Sequence, residues 1–315
     1  MDGVLIIDKP AGMTSHDVVA RVRKLTGHRR VGHTGTLDPF ATGVLVILVG
    51  RATRLAQFLS GAQKEYEAVI RLGFATDTGD LTGVPIEESH AKAQSTQSFG
   101  NEEIEAALAS LRGEIEQTPP MYSAKKVAGR KLYELARRGE EIERQPVRVV
   151  ISEFESIQRN GVLLTQTDDG HHDLAVRVVC SAGTYIRTLA EDFGRKLGVG
   201  AHVADLRRTR AGQFRIDGAI TLDRLKELTE SASIAAALIS SDAALSHLPA
   251  VNLNADEVAR ALNGVAQQIQ DVESEAWPDR QVVRMRNTDG DLVAVGTYDQ
   301  AQQRLHPGVV IASIN

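Results

Sequence analysis

The apolar positions of this chain change period several times, and each change predicts an element. Val4, Leu5, Ile6 and Ile7 form a short β-branched run closed by Lys9-Pro10-Ala11-Gly12, the pattern of a strand and its turn. Val18, Val19, Val22 and Leu25 recur at helical spacing, so a helix is expected over 16–26, capped by Ser15 and stopped by Gly27. Positions 44–49 are apolar throughout and bounded by glycines, which predicts a buried strand. A helix is expected over 51–60, and the alternation over 64–73 predicts a half-buried strand. A polar surface connection over 90–101 leads to a helix over 102–112 capped by Asn101, with Ile104, Leu108 and Leu111 on one face. Residues 129–139 read as a cationic helix, and 147–179 as several antiparallel strands. Positions 180–190 read as a strand end, a glycine turn and a helix capped near Thr184. A boundary is expected near His247-Leu248-Pro249, dividing 1–248 from 249–315. The second part has a helix over 255–262, strands over 281–285, 292–298 and 309–312, and an insertion loop over 272–280 around Trp277.

Composition narrows the class. A hydrophobic fraction of 42% and a charged fraction of 24% belong to an ordinary soluble protein with a sizeable core. No apolar run approaches the ~20 residues that span a bilayer, so no membrane partner is expected. The acidic start of the chain does not resemble a signal peptide. The single cysteine, Cys180, excludes an intramolecular disulfide, and cytoplasmic residence is the expectation.

The net charge of −5 argues against nucleic acid, but the charge is segregated. Residues 1–60 and 121–150 each balance at +4 and 195–215 at +5, while 77–116 carries −7. The basic stretches are either solvated faces or parts of one RNA-facing surface. Aromatics make up only 4% of the chain, so RNA recognition would rest on shape, phosphates and one enclosed base.

The candidate chemistry centres on GHTGTLDPFATG, residues 32–43. It places one carboxylate, Asp38, in a glycine-rich loop beside a buried strand and near Arg29 and Arg30. Such a carboxylate is either part of a plain turn or an exposed nucleophile with its pKa kept low. The loop lacks the Gly-Lys-Ser/Thr ending of a phosphate-binding P-loop. Asp77-Thr78-Gly79 is the triplet of aspartic proteases, but no second triplet exists, so Asp77 reads as a turn residue. His171-His172-Asp173 lacks metal-site spacing, and no metal is assigned. Arg187 stands in the first turn of its helix, against the dipole, which a partner carboxylate would explain.

GHTGTLDPFATG resembles the signature of the TruB family, the bacterial tRNA pseudouridine-55 synthases. DKPAGMTSHDVV, KEYEAVIRLG, FATDTGDLTG, QTPPMYSAKKVAGRKLYELARRG and CSAGTYIRTLA are similar to further family blocks, in family order. The C-terminal DGDLVAVGTYDQ and HPGVVIA resemble a PUA domain. The resemblance implies an α+β pseudouridine-synthase fold, with a mixed, largely antiparallel central sheet, flanking helices, a mobile thumb over about 117–146 and a small C-terminal β-barrel. It implies isomerisation of one uridine in the T-arm loop of tRNA, without a cofactor. No obligate protein partner is evident, and a monomer is expected. Asp38 is then the nucleophile and Arg187 its partner, while Tyr66 packs against the target base and serves as the base near carbon 5, unless it only stacks. Asp80 stands behind the Asp–Arg pair, Leu206 packs on the uracil, and His33 fills the space the base vacates. Lys9 and Pro10 support the site from beneath. Tyr185, Lys64, Lys125, Lys126, Arg130, Lys131, Arg207 and Arg208 are the expected RNA contacts. A non-catalytic RNA-binding protein on the same fold is the alternative.

Overall fold

A computed structural model describes the chain apart from residues 87–98, 124, 128, 137, 141, 159, 269–276 and 313–315. Most of the expected polar connection over 90–101, and most of the insertion loop before Trp277, lie outside the described residues. In chain order the first part comprises β1 (Gly3–Lys9), α1 (Ser15–Thr26), β2 (Val31–Thr34), β3 (Thr42–Val49), α2 (Ala56–Leu59), β4 (Lys64–Leu72), α3 (Asn101–Ala109) and β5 (Gly113–Gln117). There follow β6 (Lys126–Val127), β7 (Arg130–Lys131), α4 (Leu132–Ala136), β8 (Val147–Ser156), β9 (Leu164–Gln166), β10 (His172–Cys180), α5 (Ile186–Lys196), β11 (Ala201–Ala211), β12 (Phe214–Arg215) and α6 (Leu222–Glu230). The chain closes with β13 (Ala250–Asn252), α7 (Ala255–Leu262), β14 (Gln267–Gln268), β15 (Val282–Arg286), β16 (Leu292–Asp299) and β17 (Arg304–Val310).

Ten strands form the main sheet, whose central path is β1-β3-β11-β4-β10-β8-β5. Its pairings are antiparallel except β3 with β11, so the sheet is mixed as expected. The unbroken apolar run of β3 has a direct cause. Leu45, Ile47 and Val49 pack with α1 residues Val18, Val19 and Val22 on one face. Val44, Val46 and Leu48 pack on the other face in a cluster that includes Leu292, Val295 and Ile311. A strand covered on both faces has no polar side to alternate with.

Several local details differ from the sequence reading. Thr14, not Ser15, caps α1, in a capping box closed by Asp17. Ser15 is buried and bonds the backbone of Leu37. Gly100 occupies the cap position of α3, because Asn101 is already its first residue. Residues 50–55 form a 3₁₀ turn before the short α2. The cationic stretch 129–139 is not one helix: it holds β7, which pairs with β6 just upstream, and then a five-residue helix. Lys125 through Lys131 thus straddle a turn at Gly129, where φ is +80°.

The second sheet, ordered β13-β15-β16-β17-β14, packs on α7 and Trp277 through its own core. It also meets loops of the first part of the chain through polar contacts. Arg284 binds the Asp242 carboxylate at 2.9 Å, and Arg54 donates to the Val310 carbonyl at 2.6 Å. Within the described residues, no helix is long and apolar enough to cross a membrane.

Because Leu292, Val295 and Ile311 help cover β1 and β3, a chain ended at Pro249 bares part of that face. Its melting temperature should fall by roughly 5–15 °C, given ~1.5–3 kcal/mol for each buried side chain. A truncated chain that melts like the full one would show that the shared cluster contributes nothing.

Candidate active site

Asp38 sits at the tip of the β2–β3 hairpin, in a loop tied down from three sides. Ser15 Oγ accepts from Leu37 N–H at 2.9 Å and donates to its carbonyl at 3.2 Å. Gly12 N–H donates to the Pro39 carbonyl at 2.8 Å. The fully buried Lys9 ammonium reaches the Pro10 and Pro39 carbonyls at 2.8 and 3.2 Å, so Lys9 lies beneath the loop. Burial pulls its pKa down to about 8. Gly43 closes the hairpin with φ +100°, and a Cβ there would lie 2.2 Å from the Arg208 carbonyl oxygen.

Arg187, in the first turn of α5, meets the loop. Its Nε lies 2.9 Å from Asp38 Oδ2, and its Nη2 donates to Oδ1 at 3.2 Å, a two-pronged fork. Nη2 also donates to the Tyr122 carbonyl at 2.7 Å. Nη1 donates to the Thr78 carbonyl at 2.8 Å and faces Asp80 Oδ2 at 3.5 Å. Every donor direction of the guanidinium thus has an acceptor. The Arg187 side chain is 5% exposed and Asp38 31%, so the carboxylate alone looks into open space. Asp80 is held in turn by Thr78 Oγ1 at 2.9 Å and the Thr82 amide at 3.0 Å.

That space is a cavity of about 280 Å³, small for a ligand pocket and suited to one base. Asp38, Tyr66, Leu206, Tyr185, Arg187, Lys64, Lys125 and Arg208 all line it. Tyr66 (β4) pairs with Arg208 (β11) across the sheet, and both line the cavity. Desolvation raises the Tyr66 pKa. Burial likewise pushes the Asp38 carboxyl above the usual carboxylate range. Asp80 adds to the rise, while Arg187 and Lys9 oppose it. A depressed Asp38 pKa, expected from the neighbouring cations, therefore does not occur.

The expected RNA contacts divide by position. Arg208 is 1% exposed, and its guanidinium donates to the Val44 and Gly35 carbonyls at 2.8 and 3.0 Å. It forms part of the cavity floor, away from the outer surface. Arg207 pairs with Asp8 at 2.8 Å outside the cavity. Lys64 turns its ammonium inward to the Ser60 and Ala62 carbonyls, with its pKa pulled down to about 8 by burial. Arg130 stands exposed on the hairpin, 3.8 Å from Glu140. Lys126 and Lys131 pair across that hairpin. His33 is not in the cavity wall. Its ring sits edge-on to His16 at 5.7 Å, and burial pulls its pKa down to about 4. Asp77 accepts from the Val84 amide in a turn. Among the described residues, no cluster of three or more His, Cys, Asp or Glu is placed to hold a metal. The carbonyls of Thr78 and Tyr122 were illegible in the sequence, since every residue carries one. The capping role of Thr14 was legible, in the Thr-x-x-Asp spacing.

Around this fork and its cavity, the chain as a whole is similar to pseudouridylate synthases. Residues 23–186 match the TruB family pseudouridylate synthase N-terminal domain, and 187–246 match the tRNA pseudouridylate synthase B C-terminal domain. The tRNA pseudouridine synthase B of Geobacillus thermodenitrificans is 47% identical over 84% of this chain and 85% of its own length. That of Geobacillus kaustophilus is also 47% identical, over 84% and 90%. An H/ACA ribonucleoprotein bound to a substrate RNA matches with TM-score 0.70 and 25% identity, over 99% of this chain and 85% of that one. A Cbf5–Nop10–Gar1 complex matches at TM-score 0.69 and 27% identity, over 99% and 84%. The chain belongs to the TruB family of pseudouridylate synthases.

The site makes a physical prediction. Followed by carboxyl carbon NMR, Asp38 should titrate above the ~3.9 of a free aspartate. Arg187→Lys removes the planar fork and should raise it further. Titration below the free value would contradict the desolvated site.

Proposed function

We propose that this chain isomerises uridine 55 in the T-arm loop of tRNA to pseudouridine, with Asp38 as the reacting carboxylate. The observation that carries this reading is the Arg187 fork on Asp38 at the edge of a one-base cavity. Family membership and the names of the 47% identical relatives supply the reaction class and the tRNA.

The target uridine is stacked in the folded loop, so it must first be flipped out, at a cost of a few kcal/mol. The cavity accepts the base against Tyr66 and Leu206. Asp38 then becomes the covalent or ion-pair partner of the reacting nucleotide. The bond between N1 and the sugar breaks, the base turns, and carbon 5 joins the sugar. A proton leaves carbon 5 and N1 ends protonated. Nothing is oxidised or reduced, so the reaction calls for no cofactor.

Arg187 orients the carboxylate and offsets part of its desolvation. Tyr66 enters as a neutral phenol, because burial raises its pKa. It can take the carbon-5 proton only by passing on its own. Stacking by the ring is therefore its first role. Lys125 and Arg130, with Lys126 and Lys131 on the same hairpin, supply the cationic thumb that meets the RNA backbone. His33, next to the loop, is available to fill the stack that the base leaves. The protein acts as a cytoplasmic monomer, with 249–315 as a second, PUA-like RNA-binding part.

Three outcomes test this. Asp38→Asn should fold and bind tRNA while losing pseudouridine formation by orders of magnitude, because an amide cannot replace the carboxylate. Turnover within tenfold of the parent would contradict the assignment. In the unmodified enzyme the rate should fall as pH drops through the elevated Asp38 pKa, since only the anion reacts. Tyr66→Phe should retain most of the rate if the ring stacks, and Tyr66→Leu should lose most of it. Equal loss in both would return the proton transfer to the hydroxyl.

A further inference from the structure

The start of α5 has an unusual support. Its cap residue is Tyr185, and among the described residues no hydrogen bond from the Tyr185 side chain closes the helix end. Thr184, the cap expected from sequence, instead donates its hydroxyl back to the Ser181 carbonyl at 3.0 Å. The backbone of Tyr185 is bonded from another element. Gln117, the last residue of β5, accepts from the Tyr185 amide at 3.0 Å and donates its Nε2 to the Tyr185 carbonyl at 3.3 Å. The Gln117 side chain belongs to a residue 1% exposed, so neither bond competes with bulk water. Two residues further along, Arg187 forks onto Asp38.

We infer that Gln117 is a positioning residue for catalysis, fixing the first turn of α5 so that the Arg187 fork meets Asp38. The inference rests on the reading of Asp38 and Arg187 given above. An amide suits the task because it offers one donor and one acceptor to a single peptide residue. A carboxylate in its place lacks the donor, and an apolar side chain lacks both. Gln117 also stands where β5 passes into the segment leading to the basic hairpin. On that segment the Tyr122 carbonyl accepts a third bond from Arg187, and Pro119 accepts from Arg144 at 3.1 Å. The root of the hairpin and the start of α5 therefore meet on one guanidinium.

A fixed fork leaves a signature on its carboxylate. The charged groups that act on Asp38 are Arg187 from α5, Asp80 from the 74–86 turn and Lys9 from β1. Loosening Arg187 weakens the strongest cation among them and leaves desolvation and Asp80 in place. The Asp38 carboxyl should then titrate at still higher pH. A side chain that only fills space would not move that titration.

The test compares Gln117→Met, which keeps the volume and removes both bonds, with Gln117→Glu, which keeps the acceptor for the Tyr185 amide. Asp38 is followed by carboxyl carbon NMR in the RNA-free full chain, and single-turnover pseudouridine formation is measured on a T-arm stem-loop. For Gln117→Met we expect the Asp38 titration to rise by about half a pH unit or more. The single-turnover rate should fall at least tenfold, with stem-loop affinity within threefold of the parent. Gln117→Glu should fall between the two in rate. Should Gln117→Met not fold, the Gln117→Glu rate and titration decide alone. An unmoved Asp38 titration overturns the inference, as does a rate loss matched by equal loss of affinity. The NMR arm reads Asp38 without turnover. A parent protein that makes no pseudouridine while Asp38 still shifts would therefore refute the proposed reaction and leave the positioning role standing.

Discussion

The Arg187 guanidinium is the constraint on which the rest of the site depends. A buried cation without partners costs several kcal/mol, and this one is almost wholly removed from water. It is made tolerable only because two carboxylates and two carbonyls converge on it. Those acceptors come from the hairpin tip at Asp38, the 74–86 turn and the segment entering the basic hairpin. One side chain thereby ties three loops to the first turn of a helix. The arrangement also explains the one exposed member of the cluster. Asp80 is 6% exposed and fully engaged, while Asp38 keeps an open side facing the cavity. Of two carboxylates bound to one arginine, only one is free to meet a substrate.

The sheet makes that geometry rigid. β3 is apolar on both faces because α1 covers one and residues of the second sheet help cover the other. A strand so held fixes the hairpin that carries Asp38, and Lys9, Gly12 and Ser15 fix the hairpin's tip. Burying Lys9 beneath the loop is costly, as its depressed pKa shows. It is accepted because the ammonium satisfies loop carbonyls and balances part of the negative charge above it.

Much of the fold was legible because long elements carry strong periodicity. β1, β3, β4 and α1 lie where their apolar patterns place them, and α7 spans the expected 255–262. The errors fall where local rules compete. Ser15 has the chemistry of a cap, but Thr14 with Asp17 wins that role and frees Ser15 for Leu37. The stretch 129–139 has helical composition, yet Gly129 at positive φ starts a hairpin turn. In the site, Asp38 and Arg187 stood out by residue type and awkward position. Their electrostatics did not, because nearby cations in sequence suggest a low Asp38 pKa while burial in space raises it. Arg208 is the sharpest case. In sequence it is one of several arginines beside a glycine turn, and only the register of β11 on β4 brings it under Tyr66.

The central claim is that Asp38, held by Arg187, meets a single flipped uridine in the cavity beside Tyr66 and Leu206. The most direct test is a crystal structure of the chain with a T-arm stem-loop carrying 5-fluorouridine at the target position. The account predicts the fluorinated nucleotide extruded from the loop, its ring against Tyr66 and Leu206, within bonding or contact distance of an Asp38 carboxylate still forked by Arg187. A target nucleotide left stacked in the RNA loop, or lodged where Asp38 cannot touch it, would contradict the account.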